Sequence, residues 1–179
     1  MRKFPALILS VGLITSSALV FANDTSEGKS DAGLTASVKS ALIGNKQTKA
    51  SQINVETQQG VVQLSGFVDS EEAKEAAEMT AQNVEGVTEV DNKLMIRDAD
   101  RSTGEAVDDT VIAAKVKGEI AGKAGLGTAA DVNVEVNSGV VELSGFVPTA
   151  DEKMKAGEIA RGISGVKNVH NNIALKPAG

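Results

Sequence analysis

The sequence predicts an α+β fold: two tandem αββαβ domains, each a three-stranded mixed sheet covered on one face by two helices. Three observations lead there. The nonamer Gly60 to Val68, GVVQLSGFV, returns at Gly139 to Val147 as GVVELSGFV, with one change, 79 positions on. The match widens to Ile53–Val68 against Val132–Val147, where 11 of 16 positions are identical. Upstream, Leu34, Val38 and Leu42 recur every four residues, and Ile112, Val116 and Ile120 answer them at an offset of 78. The extra residue of the second copy falls in AGKAGLGTAAD, whose glycines mark a loop, and loops absorb insertions. Two copies are too few for a solenoid, so one domain has been duplicated in tandem.

Each unit is justified element by element. The four-residue spacing of Leu34, Val38 and Leu42, and of their equivalents, is one apolar stripe on a short helix. Asp31 and Asp109 lie just upstream of the stripes and are candidate caps. INVET and VNVEV alternate apolar and polar residues as a half-buried strand does. QQG and NSG make a tight hairpin turn, with Gly60 and Gly139 supplying a positive φ. The nonamer is the return strand. The second helix, SEEAKEAAEMTAQNVEG or TADEKMKAGEIARGISG, opens on a capping Ser70 or Thr149 followed by acids, and closes at Gly86 or Gly165. The last strand runs from Val87 to Ile96 or from Val166 to Leu175. A helix between strands two and three makes those strands parallel.

Alternation puts Val62, Leu64, Gly66 and Val68 on one face, and Val61, Gln63, Ser65 and Phe67 on the other. Both helices are expected on the first face. A glycine inside a strand marks a bulge or a close backbone approach. A bulge at Gly66 or Gly145 would reverse the facing and turn Phe67 or Phe146 into the core.

The ends and the charge bound the function. MRKFPALILSVGLITSSALVFA has a basic start, an apolar run and small residues at Val20 and Ala22. This predicts a signal peptide over residues 1–22, cleaved before Asn23, with an uncleaved membrane anchor as the alternative reading of the same apolar run. Residues 23–30 read as a flexible segment, 31–98 as domain 1, 99–107 as a polar linker and 108–176 as domain 2. No later segment is apolar enough to span a bilayer. No cysteine is present, which removes disulfides and a lipidated N-terminal Cys. With 18 basic against 24 acidic residues and no Trp or Tyr, the chain is a poor nucleic-acid binder. The expected place is the periplasm.

Catalytic chemistry is missing. His170 is the single His, so no His-based triad or multi-His metal site forms within one chain. Its place on the last strand reads as solvated. Ser65 and Ser144 lack a base and the glycine spacing of a nucleophile elbow. Glu71, Glu72, Glu75 and Glu78 read as a solvated helix face. RDADRSTGEAVDD lacks the pattern of a calcium loop. No catalytic residue, metal or cofactor is expected.

The repeat resembles the BON domain in its hairpin with the LSG strand and its GV..V.N segment, GVTEVDN and GVKNVHN here. Two copies behind a signal peptide resemble the periplasmic, osmotically inducible OsmY-like family. The likeness covers Asp31 to Asp98 and Asp108 to Lys176. It implies the αββαβ fold, an envelope location, a role in osmotic stress and weak, reversible binding to phospholipid surfaces or envelope proteins. Some members look like periplasmic chaperones, so a holdase for unfolded or outer-membrane and secreted clients is the alternative. The family brings no catalytic residues, and this chain lacks the Cys of its lipoprotein branch.

Charge is uneven between the copies. Residues 31–98 carry 6 basic and 11 acidic side chains, and residues 108–176 carry 8 and 9. Drift after duplication would leave such a difference; so would a division of labour in which domain 2 touches anionic headgroups. The candidate contacts are then Lys153, Lys155, Arg161 and Lys167. Met154, Ile159 and Ile163 are expected to turn inward between them. Gly60, Gly66, Phe67, Gly86, Gly139, Gly145, Phe146 and Gly165 are expected to shape the repeat.

Overall fold

A computed structural model of the chain describes residues 30–97, 103–123 and 131–176. The expected signal peptide, most of the segment before domain 1 and the loop holding the inserted residue lie outside the described residues. Domain 1 contains helix α1 (Asp31–Gly44), a 3-10 turn (Ala50–Gln52), strands β1 (Asn54–Gln58), β2 (Val61–Ser65) and β3 (Phe67–Val68), helix α2 (Glu71–Gln82), and strands β4 (Glu89–Asn92) and β5 (Met95–Ile96). Domain 2 repeats the order with α3 (Thr103–Lys123), β6 (Val132–Asn137), β7 (Val140–Val147), α4 (Ala150–Arg161), β8 (Asn168–Asn171) and β9 (Ala174–Leu175). The α3 helix begins at Thr103, inside the segment read as linker. Among the described residues no helix is long and apolar enough to cross a membrane.

Each sheet is mixed, with the nonamer strand at its centre. β1 pairs antiparallel with β2, and β4 parallel with β2. β6, β7 and β8 repeat that order. The last strand of each copy is broken in two, because Leu94 and Ile173 drop into the cores between the pieces.

The helical stripes fall where their spacing puts them. Leu34, Val38 and Leu42 pack with Val55, Val62, Leu64, Val68, Ala77, Ala81 and Leu94. Ile112, Val116 and Ile120 pack with Val134, Val141, Leu143, Val147, Ala156, Ala160 and Ile173. Small residues on α2 and α4 let these helices sit close on the sheet. Ser70 caps α2 by accepting from the Ala73 N–H, and Thr149 forms a full capping box with Glu152.

Four expectations are corrected. The facing does not reverse after Gly66 or Gly145: Val68 and Val147 join the cores, while Phe67 and Phe146 are buried on the opposite face. The glycines are there for a close approach. At φ of 120° and 113°, an added Cβ would strike the carbonyl oxygens of Gln52 and Asp131. Second, Asp31 and Asp109 do not cap their helices. Ser30 caps α1, and both Asp side chains reach from the first helix to the hairpin turn. Third, α2 and α4 end at Gln82 and Arg161, so Gly86 and Gly165 lie in the following turn, with positive φ as expected. Fourth, Met154 is exposed; Ile159 and Ile163 do pack against the core.

Candidate functional site

The hairpin turns are built alike. Gln59 and Gly60 have φ of 50° and 80°, and Ser138 and Gly139 have 51° and 80°. Such a turn leaves two backbone N–H groups pointing inward. Asp31 takes those of Gln59 and Gly60 at 2.9 and 3.1 Å. Asp109, 3% exposed, takes those of Ser138 and Gly139 at 2.7 and 2.8 Å. Each carboxylate therefore pins the first helix to the hairpin.

The second face of each sheet is not solvated. Strands β2 and β7 meet, and the two domains pack sheet against sheet about an approximate two-fold axis. Ser65 and Ser144, equivalent positions, share a hydrogen bond of 2.7 Å. The Gly66 N–H donates to Glu142 Oε2 at 2.8 Å, and the Gly145 N–H to Gln63 Oε1 at 2.7 Å. Asn54 Nδ2 donates to Glu135 Oε1 at 3.0 Å, and Asn133 Nδ2 to Glu56 Oε1 at 2.7 Å. Every one of these contacts has its counterpart 79 residues away.

The symmetry breaks in two places. The one difference between the nonamers, Gln63 against Glu142, lies inside the junction, and each side chain is 1% exposed. Gln63 also donates through Nε2 to the Asn172 carbonyl at 3.0 Å. Asn172 Nδ2 donates to Glu142 Oε1 at 3.1 Å. Lys93 stands where Asn172 would in domain 1, paired with Asp91 at 2.7 Å. Burial pushes the Glu142 carboxyl up to about 7. The Gly66 and Asn172 hydrogen bonds pull it down in part, and the charge of Glu135 adds to the rise.

Beside the junction a cavity of about 330 Å³ is lined by Phe67, Gln52 and Arg97 of domain 1 and by Thr110, Lys117 and Glu135 of domain 2. Phe67 thus faces the second domain rather than its own core. A second cavity of about 320 Å³, in domain 2, is bounded by Lys115, Lys167, Asp108 and Asp109.

The candidate headgroup contacts lie away from the junction. Lys155 and Arg161 on α4 and Lys167 after it are exposed, and Lys153 is half-buried. Met154 is 57% exposed among them. Ser65 and Ser144 face each other with no base between them.

Reading the sequence alone misses the junction, because Gln63, Ser65 and Glu56 look like solvent-facing residues. A signal was present: Asn54, Glu56 and Ser65 return unchanged as Asn133, Glu135 and Ser144, on the face that had no core to explain it.

Comparison with known proteins follows the same boundaries. The BON domain model matches residues 30–98 and 108–177. The chain is 38% identical over 147 residues to Osmotically-inducible protein Y of Escherichia coli, covering 82% of this chain and 73% of that protein. It is 34% identical over 77 residues to Outer membrane lipoprotein DolP of Haemophilus influenzae, covering 43% and 40% of the two chains. Among solved structures, the C-terminal domain of CdsD, the structural protein of the type III secretion system of Chlamydia trachomatis, aligns at 19% identity and a TM-score of 0.34. That alignment covers 82% of this chain and 67% of the other.

Proposed function

The chain belongs to the BON domain family, and from that premise we propose that it is a non-enzymatic envelope protein of osmotic stress that binds anionic phospholipid surfaces through domain 2. One relative is named for osmotic induction and another as an outer membrane lipoprotein, which supports the setting. The observation that carries the reading is the exposed side of α4. Lys155 and Arg161 project there around an exposed Met154, with Lys153 half-buried and Lys167 just beyond the helix. Cationic heads with an apolar neighbour suit a headgroup layer. The equivalent helix of domain 1 is acidic, with Glu71, Glu72, Glu75 and Glu78 against Lys74. Each basic residue near an anionic surface adds about 1 kcal/mol, so the binding is reversible and weakens with salt.

Vesicle flotation tests this. The mature chain should float with phosphatidylglycerol vesicles and not with phosphatidylcholine vesicles. The variant K153E/K155E/R161E should bind at least roughly tenfold more weakly, with unchanged folding. Undiminished binding by that variant overturns the reading.

A second reading is a holdase for unfolded envelope clients. The open edges of the sheets favour it, since β1 and β4 are the outer strands in domain 1, and β6 and β8 are the flanking strands in domain 2. An exposed edge accepts an extended segment by strand addition. Suppression of client aggregation without any vesicle binding would select it.

A further inference from the structure

The junction holds a carboxyl that nothing in the lipid or client reading uses. Glu142 sits at its centre, 1% exposed, and bridges the two domains through the Gly66 N–H at 2.8 Å. None of the ion pairs among the described residues includes it. The equivalent position across the axis is filled by a neutral amide, Gln63, which makes the same contact to Gly145 at 2.7 Å.

We propose that Glu142 makes the domain junction a proton-operated clamp, tighter when the carboxyl is protonated and looser when it is ionised.

Burial gives the direction. Both oxygens of Glu142 accept, Oε2 from the Gly66 N–H and Oε1 from Asn172 Nδ2, but these two neutral donors are the whole of its hydrogen bonding among the described residues. A carboxylate 1% exposed with no cation paired to it loses more solvation than two neutral donors restore. The charged groups around Glu142 do not offset an anion. On β6, Glu135 is its register partner. On β8, His170 is its register partner, with Nε2 at 3.2 Å from Asn168 Nδ2. Across the junction, Glu56 on β1 bonds Asn133, and Lys93, next to β4, is engaged by Asp91 on that strand. Arg97 and Lys117 border the cavity beside Glu135. Opening the junction returns Glu142 to water, where the carboxylate is solvated.

The linkage sign follows. With a carboxyl near 7 when closed and near 4.5 when open, the closed state holds the extra proton between those values. The closed-to-open ratio therefore falls roughly tenfold per pH unit from about 4.5 to about 7, about 300-fold in all, and levels off above. Acidification closes the clamp.

Amide hydrogen exchange on the mature full-length chain, read by NMR from pH 4.5 to 8, tests it. After correction for intrinsic rates, the protection of the Gly66 and Gly145 amides should fall from pH 4.5 to about 7 and level off above. The amides of Val38 and Leu42 in α1, and of Val116 and Ile120 in α3, should keep theirs. E142Q should flatten the junction profile. The exchanged pair Q63E/E142Q should restore a pH-dependent profile, because it returns one buried carboxyl to the junction, in place to accept from the Gly145 N–H. A flat profile in the parent, an unchanged slope in E142Q, or helix amides that follow the junction amides would each overturn the clamp.

Discussion

Ser65 and Ser144, 79 residues apart, meet Oγ to Oγ at 2.7 Å on the axis that relates the two domains. Each is 1% exposed. A hydroxyl in that position has one partner, its own equivalent, and water does not reach it.

Removing both should therefore cost less than the two single removals added together. S65A or S144A strands a buried hydroxyl and should destabilise the chain by about 1–3 kcal/mol. The double variant S65A/S144A should cost less than the sum, since no polar atom is left without a partner. Urea unfolding of the four proteins measures the coupling. Additive losses would mean that the two hydroxyls do not depend on one another.

The turn carboxylates should differ in weight. Asp109 is 3% exposed and Asp31 is half-buried, although both accept from two turn N–H groups. D109A should cost on the order of 3 kcal/mol and D31A on the order of 1 kcal/mol. Asn at either site should recover part of the loss, because its side-chain oxygen still accepts. Thermal melts of the four variants check the order.

Gly165 should tolerate a side chain less well than Gly86. Both have positive φ, 95° and 98°, so Ala costs on the order of 1 kcal/mol at each. A Cβ at Gly165 would also stand 3.0 Å from Ile112 Cδ1, against 3.6 Å from Leu34 Cδ1 at Gly86. G165A should lower the melting temperature further than G86A. Equal shifts would mean that Ile112 moves aside freely.

These positions also show what was legible in the residues. The stripes Leu34–Val38–Leu42 and Ile112–Val116–Ile120 are buried to the last side chain, because four-residue spacing on a helix leaves one face for the core. The hairpins were equally plain, since Gly60 and Gly139 follow polar residues between alternating runs. The fate of Phe67 was not. Alternation assigns a residue to a face but says nothing about what lies over that face. A bulge that turned Phe67 inward was one way to bury it, and a second domain over the polar face was the other. The Asp31 and Asp109 contacts escaped for a related reason. A capping Asp and an Asp that reaches across to a turn look the same in sequence, and Ser30 already filled the cap. Met154 shows the limit of helical spacing on α4, where Ala156, Gly157 and Ala160 take the inward positions and leave the larger side chain outside.

Two-fold symmetry between separate identical subunits has a parity rule. Whatever one subunit brings to the axis, the other brings as well, so charges arrive there in even numbers. Joining the copies in one chain lifts that rule. With Gln at 63 and Glu at 142, this junction holds a single ionisable carboxyl at the central pair, a count that no dimer of either copy alone could reach. Two would repel each other in a space without water, and none would leave nothing there to titrate.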